Sequence, residues 1–274
     1  THESVALTIA PLDKREIRFN PGQFLTIETA VGEDVVRRSY SLCVPPSAGC
    51  WQVGIKEVPE GIFSTWANKQ AKVGDRIKVL EPDGRFTLPE GATNALMIAA
   101  GSGITPMLSN IESALETKSD TSITLLYSNK NTGSVMFRKR LGDLKDRYLG
   151  RLRVVHVFSR EDGGSDLLSG RLDATKLSQL YGKLFADTAP DFAMICGPYE
   201  MTKSAERVLK DCGLDAANVL TELFGAPAPS NARPRVAKPV SEELTASITV
   251  DEVTTVVRVG GPDQSLLDAG LVEL

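Results

Sequence analysis

Apolar and polar residues alternate over four short stretches in the first third of the chain. Turn-forming pairs such as Pro21-Gly22 and Pro45-Pro46 separate these stretches. A period of two is typical of strands with one buried face, and Gly and Pro mark the turns between them. The pattern predicts a small antiparallel β-barrel with strands at residues 5–9, 24–27, 51–55 and 76–80.

After Pro89 the pattern changes to continuous apolar runs that alternate with helical periodicity. The runs predict buried strands at residues 95–100, 123–127, 153–158 and 191–196. Helices are predicted between or after them at residues 107–115, 137–148, 175–184 and 201–211. Alternating strands and helices indicate a parallel sheet with right-handed crossovers, as in nucleotide-binding α/β domains.

The last part of the chain begins with a proline-rich stretch, residues 226–239, which predicts a semi-rigid connector. Beyond it, residues 246–250 and 254–259 indicate a hairpin, and residues 265–271 a helix start capped by Asp263 or Ser265. We therefore predict four segments: a barrel domain, an α/β domain, a linker and the start of a further small domain, at residues 1–91, 92–225, 226–244 and 245–274.

Composition excludes several classes of protein. The chain has 274 residues, enough for about two domains, and 31 basic against 35 acidic residues, so no basic excess indicates nucleic-acid binding. It contains neither an apolar run of about 18 residues nor a signal peptide, which favours a cytoplasmic enzyme without a membrane span. The four cysteines lack CxxC spacing, so we expect neither a disulfide framework nor a metal site.

Two motifs in the barrel suit a flavin dinucleotide. Arg38, Tyr40 and Ser41 lie at a strand end and offer a cation for a pyrophosphate, a flat ring and a hydrogen-bond donor. Gly61 and Ser64 lie in a turn before a helix, where backbone N–H groups can cradle a phosphate. The alternatives are an ordinary half-buried strand with a surface arginine, and a helix cap without a ligand.

A second dinucleotide is indicated by the glycine-rich turn that follows the first buried strand of the α/β domain. Gly101 and Gly103 let the backbone approach a pyrophosphate, and Pro106 lies at the start of the next helix. The alternative is a tight structural turn, which two glycines alone do not exclude.

These motifs occur in the order found in the ferredoxin–NADP reductase superfamily, which the sequence resembles over nearly all of its length. The motifs that carry the resemblance are Arg38-x-Tyr40-Ser41, the turn from Gly61 to Ser64, Gly101-x-Gly103-x-Thr105-Pro106, Cys196-Gly197-Pro198 and Glu222-x-Phe224. The resemblance implies an FAD-binding barrel, then an NAD(P)-binding α/β domain, that together pass electrons from NAD(P)H through FAD to an iron–sulfur or oxygenase protein. Five further stretches narrow the resemblance to reductases that serve oxygenases, namely residues 98–107, 136–138, 158–160, 165–171 and 265–270.

The resemblance also implies a role for each matching residue. Arg38 would bind the FAD pyrophosphate, Tyr40 would stack on the flavin, and Ser41 would donate near the reactive nitrogen. Cys196 and Glu222 would flank the nicotinamide, and Phe224 would cover the other flavin face. Further cofactor contacts are expected from Ile55, Lys56, Gly61, Phe63, Ser64, Gly101, Gly103, Thr105, Pro106, Gly197 and Pro198. The alternatives are a core thiol at Cys196, a cap of the next turn at Glu222 and a residue that merely fills a domain interface at Phe224.

The superfamily reads the adenosine ribose where Ser159 and Arg160 lie in this sequence, and an arginine suits a 2′-phosphate. NADPH is therefore favoured over NADH. The alternatives are a solvated loop charge at Arg160, or a contribution from Lys130 or Arg138.

The C-terminal hairpin resembles the opening of a plant-type ferredoxin domain, which in relatives continues into a cysteine-rich [2Fe–2S] loop. The sequence ends before any such cysteine and begins with Thr1 rather than Met, so we expect that the chain has been trimmed and that a cluster is bound only in a longer native chain. The alternatives are a chain that has lost the domain, a stand-alone reductase for a separate ferredoxin or flavodoxin, and a non-catalytic flavin-binding docking subunit.

Overall fold

The computed structural model describes residues 1–224 except positions 2, 14 and 33, and the backbone of residues 244–250 and 253–259. The chain divides into two compact units, residues 1–227 and 228–274. Among the described residues, no helix is both long enough and apolar enough to cross a membrane.

The N-terminal half consists of antiparallel strands around an apolar core. Its elements are β1 (Ser4–Ile9), β2 (Phe24–Val31), β3 (Asp34–Ser41), β4 (Trp51–Lys56), α1 (Ile62–Lys69) and β5 (Lys78–Val79). β1 pairs with β4, and β2 lies between β3 and β5. A bridge between Leu42 and Val53 joins the two sheets around fully buried Leu25, Ile27 and Ile55. The predicted antiparallel architecture is confirmed, although β5 is shorter than the predicted strand at 76–80.

The following half is a five-stranded parallel sheet in the order β10-β9-β6-β7-β8. Its strands are β6 (Asn94–Ala100), β7 (Ser122–Asn129), β8 (Leu152–Phe158), β9 (Phe192–Gly197) and β10 (Val219–Leu223). Its helices are α2 (Ile104–Thr117), α3 (Arg138–Arg147), α4 (Ala174–Leu184) and α5 (Tyr199–Asp211). Consecutive residues of β6 face opposite sides of the sheet, so Met97 packs in one apolar core and Ile98 packs in the other. The predicted parallel sheet is confirmed, and β10 is an additional edge strand.

The order of this sheet defines where a ligand can bind. The first strand in sequence, β6, lies in the middle with β7 on one side and β9 on the other. In such sheets the loops at the carboxyl ends of the two central strands separate and leave a crevice at the switch point. The glycine-rich turn after β6 and the segment after β9 therefore lie where a dinucleotide is expected.

Buried hydrogen bonds join the two halves along one side of α2. The Ser109 hydroxyl, which is fully buried, donates to the carbonyl oxygen of Val44 at 2.6 Å. The Asn110 amide donates to the Phe86 carbonyl at 3.0 Å and accepts from the Leu88 N–H at 2.8 Å. Because these groups would be unsatisfied if the halves separated, they fix the two halves relative to each other.

The second unit contains an antiparallel hairpin of β11 (Leu244–Val250) and β12 (Val253–Val259), with Leu244 opposite Val259. The predicted hairpin is therefore confirmed. The predicted helix start at residues 265–271 and nearly all of the predicted linker lie outside the described residues.

Candidate functional site

A groove of about 420 Å³ lies between the antiparallel half and the carboxyl edge of the parallel sheet. This volume is typical of small-molecule and cofactor sites. The antiparallel half contributes Phe24, Arg38, Ser39, Tyr40, Ser41, Gly54, Lys56, Val58, Gly61, Ile62, Phe63 and Ser64. The α/β half contributes Ser102, Thr105, Glu222, Leu223 and Phe224. Ten of the residues predicted for the site therefore lie together in one groove.

The end of β3 presents a cation and a flat ring to the groove. Arg38 and Tyr40 are two residues apart and share a strand face. The Arg38 guanidinium is exposed and donates to the Arg37 carbonyl at 2.7 Å. The Tyr40 ring is tilted against Phe63 with their centroids 5.2 Å apart, and burial raises the pKa of Tyr40 to about 12. The tyrosine is neutral at physiological pH, which suits a wall for an aromatic cofactor.

The turn before α1 is held by the Ser64 hydroxyl, which accepts from the Val58 N–H and donates to the Gly61 carbonyl, both at 3.2 Å. A Cβ atom on Gly61 would lie 2.4 Å from the Ser64 hydroxyl, so this position requires glycine. The hydroxyl therefore organises the turn, as the capping interpretation expects. The groups left to face a phosphate are the first N–H groups of α1, which have no partner inside the helix.

The glycine-rich turn after β6 uses its two glycines differently. Gly101 has φ +55°, and a Cβ there would meet open space, whereas a Cβ on Gly103 would lie 2.2 Å from the Cys196 carbonyl oxygen. The buried Tyr127 hydroxyl donates to the Gly101 carbonyl at 2.9 Å and holds the turn in place. The first turn of α2 contains no acidic residue and no side-chain cap, so its N–H groups and dipole suit an anionic ligand.

Cys196 and Glu222 lie opposite each other in the register of β9 and β10. The Cys196 sulfur is 4.0 Å from Oε2 of Glu222, and burial raises the pKa of the thiol well above its usual value, with the glutamate as a second cause. Burial also raises the pKa of Glu222 to about 7. The thiol is therefore neutral, and the carboxyl group changes charge near neutral pH.

Several predicted site residues lie outside the groove lining. Ile55 is fully buried in the core because its neighbours Gly54 and Lys56 occupy the groove-facing side of β4, so its side chain cannot contact a cofactor there. Cys196 is buried behind Glu222. The remaining residues lie at the carboxyl edge of the parallel sheet. Gly101 and Gly103 follow β6, and Pro106 lies in the first turn of α2. Gly197 ends β9 and Pro198 follows it, while Ser159 and Arg160 follow β8.

The sequence did not predict seven of the lining residues, namely Phe24, Ser39, Gly54, Val58, Ile62, Ser102 and Leu223. Gly54 carried a usable signal, because a glycine inside a strand often marks a close approach by another group. A Cβ on Gly54 would lie 2.8 Å from the Thr105 methyl group and 2.9 Å from the Phe137 ring.

We expect Glu222→Gln to remove a pH dependence of stability. A carboxyl group whose pKa rises from 4.5 to about 7 on folding holds its proton in the native state, so stability falls as pH rises between these values. With allowance for solvent screening, the loss is about 1–2 kcal/mol. Urea unfolding at about pH 5 and about pH 8 measures it. The prediction is wrong if the stability difference between variant and wild type is the same at both values.

The groove and the glycine-rich turn together suit a flavin-type and a nicotinamide-type dinucleotide, as in the class of FAD- and NAD-binding oxidoreductases. Residues 4–88 match the oxidoreductase FAD-binding domain family, and residues 97–207 match the oxidoreductase NAD-binding domain family. The chain belongs to the ferredoxin reductase family and is an FAD-dependent NAD(P)H oxidoreductase.

Two relatives and two solved structures illustrate this membership. A subunit of 1,2-phenylacetyl-CoA epoxidase from Escherichia coli K12 is 36% identical over 280 residues, covering 99% of this chain and 77% of that protein. The ferredoxin reductase component of 3-ketosteroid-9-alpha-monooxygenase from Mycobacterium tuberculosis is 35% identical over 212 residues, covering 77% of this chain but only 56% of that protein. A ferredoxin NADP+ reductase from Neisseria gonorrhoeae with bound FAD and NADP superposes with a TM-score of 0.68 at 25% identity, covering 81% of this chain and 93% of that one. The FAD/NAD-binding domain of a Vibrio cholerae nitric oxide dioxygenase shares the fold with a TM-score of 0.71 at 22% identity, over 82% of this chain and 93% of that one.

The resemblance to the ferredoxin–NADP reductase superfamily is thus confirmed. The five stretches that narrow it are most like the reductase subunit of ring-1,2-phenylacetyl-CoA epoxidase, with the reductases of ketosteroid hydroxylases as close competitors. Relatives of both kinds are found, and the match to the first extends over more of the chain.

Proposed function

We propose that this chain is the reductase of an oxygenase system. It accepts hydride from NADPH onto FAD and delivers single electrons through a [2Fe–2S] centre to an oxygenase such as phenylacetyl-CoA epoxidase. One observation carries the proposal: Arg38 and Tyr40, suited to a flavin, line the same groove as Thr105, Glu222 and Phe224 at the nicotinamide end. The names of the relatives support an oxygenase as the acceptor, and a ketosteroid hydroxylase is the second candidate.

The flavin half of the site binds and orients its cofactor. Bound FAD supplies a hydride acceptor that can release electrons one at a time. Arg38 and the N–H groups of α1 neutralise the pyrophosphate, and the rings of Tyr40 and Phe63 form an apolar wall. Ser41, which is 3% exposed, offers a hydroxyl donor at the edge of that wall.

The nicotinamide half holds its dinucleotide at the switch point of the sheet. The backbone of Gly101 and the start of α2 face the pyrophosphate, and Thr105 lines the groove next to them. Glu222, with Cys196 behind it, and Phe224 lie at the end where the two cofactors meet. Their role is to exclude water and to orient the donor, since hydride transfer needs no general base from the protein.

Anaerobic mixing of the FAD-loaded chain with NADPH tests the reaction. The flavin absorbance should bleach, and a one-electron acceptor such as ferricyanide should restore it. A flavin that binds but stays oxidised with both NADPH and NADH would contradict the proposal and support the docking role instead.

Arg38→Ala is expected to raise the dissociation constant for FAD about 10–100-fold, because a charge-assisted hydrogen bond to phosphate is lost. Arg37→Ala is a matched control, since Arg37 pairs with Glu28 at 2.5 Å and does not line the groove. It should change FAD affinity less than about threefold. Fluorescence titration of the apoprotein with FAD measures both, and equal effects would exclude the assigned role of Arg38.

The preference for NADPH depends on Arg160. Its N–H donates to the Lys130 carbonyl at 2.8 Å, and the Ser159 N–H donates to the Asn129 carbonyl at 2.9 Å, so both residues lie at the carboxyl edge of β7 and β8. The adenosine end of a dinucleotide binds at this edge in related sheets. The exposed Arg160 side chain then pairs with the 2′-phosphate.

Arg160→Ala should raise the KM for NADPH about 10–100-fold and the KM for NADH less than about threefold. Steady-state kinetics with both nucleotides measures the difference. Lys130→Ala and Arg138→Ala are the comparison variants, and equal effects of Arg160→Ala on both nucleotides would remove the assignment.

The [2Fe–2S] centre is proposed for a longer native chain. The hairpin of β11 and β12 supports it, because a plant-type ferredoxin domain opens with such a hairpin. Intact mass and iron content of the natively expressed protein test this point. A mass that ends near Leu274 with no iron would favour a stand-alone reductase.

A further inference from the structure

Phe137 has an unusual backbone conformation immediately before α3. Its φ of 56° and ψ of 25° place it in the left-handed region, where non-glycine residues are uncommon. Among the described residues, the only other non-glycine residue with positive φ is Glu60. A bulky residue stays in this conformation only where its surroundings determine it, and such positions cluster at functional sites.

The Phe137 ring does not line the groove itself, but it packs against Gly54, which does. Its edge and the methyl group of Thr105 enclose the Cα of Gly54 so tightly that a Cβ there would lie 2.9 Å from the ring and 2.8 Å from the methyl carbon. Gly54 belongs to β4 in the flavin half, and Thr105 belongs to α2 in the nicotinamide half, and both line the groove. The ring therefore contacts β4 at Gly54, the same residue that Thr105 of α2 approaches.

Arg140, one turn later on α3, fixes the position of the Phe137 ring by holding the start of this helix. Its guanidinium donates to the Cys43 carbonyl at 3.1 Å and to Oε2 of Glu112 at 2.6 Å. Cys43 precedes β4, and Glu112 lies on α2. The Cys43 N–H in turn donates to the Gln52 carbonyl of β4 at 2.9 Å, so the first turn of α3 is attached to α2 and to a segment that is itself bonded to β4.

We propose that Phe137 is a positioning residue, whose ring supports β4 at Gly54 and holds it against Thr105 of α2, and therefore fixes the alignment of nicotinamide with flavin; this inference rests on the proposed function. Hydride transfer requires contact between the reacting atoms, and a displacement of about 1 Å can cost about a hundredfold in rate. A smaller side chain at this position removes the support beside Gly54, so β4 can shift relative to α2.

Phe137→Leu and Phe137→Gly test the proposal in the FAD-loaded full chain. Phe137→Leu should lower the limiting rate of flavin reduction at saturating NADPH about 10–100-fold, with less than about a threefold change in KM or in FAD affinity. Phe137→Gly removes the ring and also relieves the left-handed strain, so a rate that stays low in this variant assigns the loss to the missing ring and not to the backbone conformation. The long-wavelength absorbance of stacked nicotinamide and flavin should weaken in both variants.

Leu144→Ala is the matched control, because Leu144 lies on the same helix and packs on the core of the α/β half. It should lower the unfolding midpoint and leave the rate of flavin reduction unchanged. If Phe137→Leu behaves like Leu144→Ala, Phe137 only fills space and the positioning role is excluded. If the wild-type chain is not reduced by NADPH or NADH, the proposed function fails instead.

A second measurement needs no nicotinamide. Gly54→Ala should weaken FAD binding by about tenfold or more, because the new methyl group meets both the ring and Thr105. In the Phe137→Leu background, the loss of FAD affinity caused by Gly54→Ala should be smaller by a factor of about three or more, since one of the two obstacles to the new methyl group is gone. Equal effects in the two backgrounds would overturn the proposed contact.

Discussion

Gly103→Ala is expected to destabilise the chain by about 2–4 kcal/mol and to weaken NAD(P)H binding. The new Cβ would lie 2.2 Å from the Cys196 carbonyl oxygen and 2.7 Å from its carbonyl carbon. Both are backbone atoms of β9, which cannot move away as a flexible side chain can. Because Cys196 is paired in register with Glu222, the displacement reaches both residues at the nicotinamide end. Urea unfolding and the KM for NADPH measure the two effects.

Two glycine variants serve as controls for Gly103→Ala. At Gly101 a Cβ meets open space, so Gly101→Ala should cost only the strain of its φ of +55°, about 1–2 kcal/mol. Gly142 lies within α3 and also faces open space, so Gly142→Ala should stabilise the chain by about 0.5–1 kcal/mol. If Gly103→Ala unfolds at the same urea concentration as Gly142→Ala, the close approach does not exist in solution.

Most strands of the parallel sheet could be predicted because they are buried on both faces and read as continuous apolar runs. β10 was missed for the opposite reason. It is an edge strand in which Thr221 and Leu223 are exposed, and its pairing with β9 is visible only once the sheet is assembled. The predicted strand at 76–80 was too long because only Lys78 and Val79 have ladder partners on β2.

The candidate site was predictable where its residues are close in sequence. Arg38, Tyr40 and Ser41 follow one strand, so their order alone places them in one region. Ile55 is also predicted to contact the cofactor, and the alternation of β4 directs its side chain into the core between Gly54 and Lys56. The periodicity was present in the sequence, but only the assembled groove shows which face of β4 it lines.

Contacts between distant residues could not be predicted. Phe137 and Thr105 approach Gly54 only after both halves have folded, and Arg140 reaches the Cys43 carbonyl across 97 positions of sequence. A single sequence gives no signal for such pairs, because neither the residue types nor their spacing distinguishes Phe137 and Arg140 from ordinary residues of a charged surface helix. The residues between the two halves therefore had to be found from the structure.

Arg140→Met is expected to cost about 3–5 kcal/mol at neutral pH, because it leaves a buried carboxylate without its cation. The Glu112 side chain is only 7% exposed, and its Oε2 accepts from Arg140 at 2.6 Å. Burial raises the pKa of Glu112, while Arg140 is the largest influence that lowers it. Without Arg140 that pKa rises further, so Glu112 holds a proton in the folded variant over a wider pH range and stability falls as pH rises.

Urea unfolding at about pH 5 and about pH 8 should show a smaller loss at the lower value, because protonation of Glu112 offsets part of the cost of the missing cation. Lys139→Met is the matched control, since Lys139 is exposed and pairs only with Asp143 on the same helix, and it should change stability by less than about 0.5 kcal/mol. Glu112→Gln combined with Arg140→Met should recover most of the loss, because the cost comes from the unpaired charge and not from the missing contact. A double variant as unstable as Arg140→Met would mean that the bond from Arg140 to the Cys43 carbonyl, and so the attachment of α3 to the flavin half, carries the stability instead.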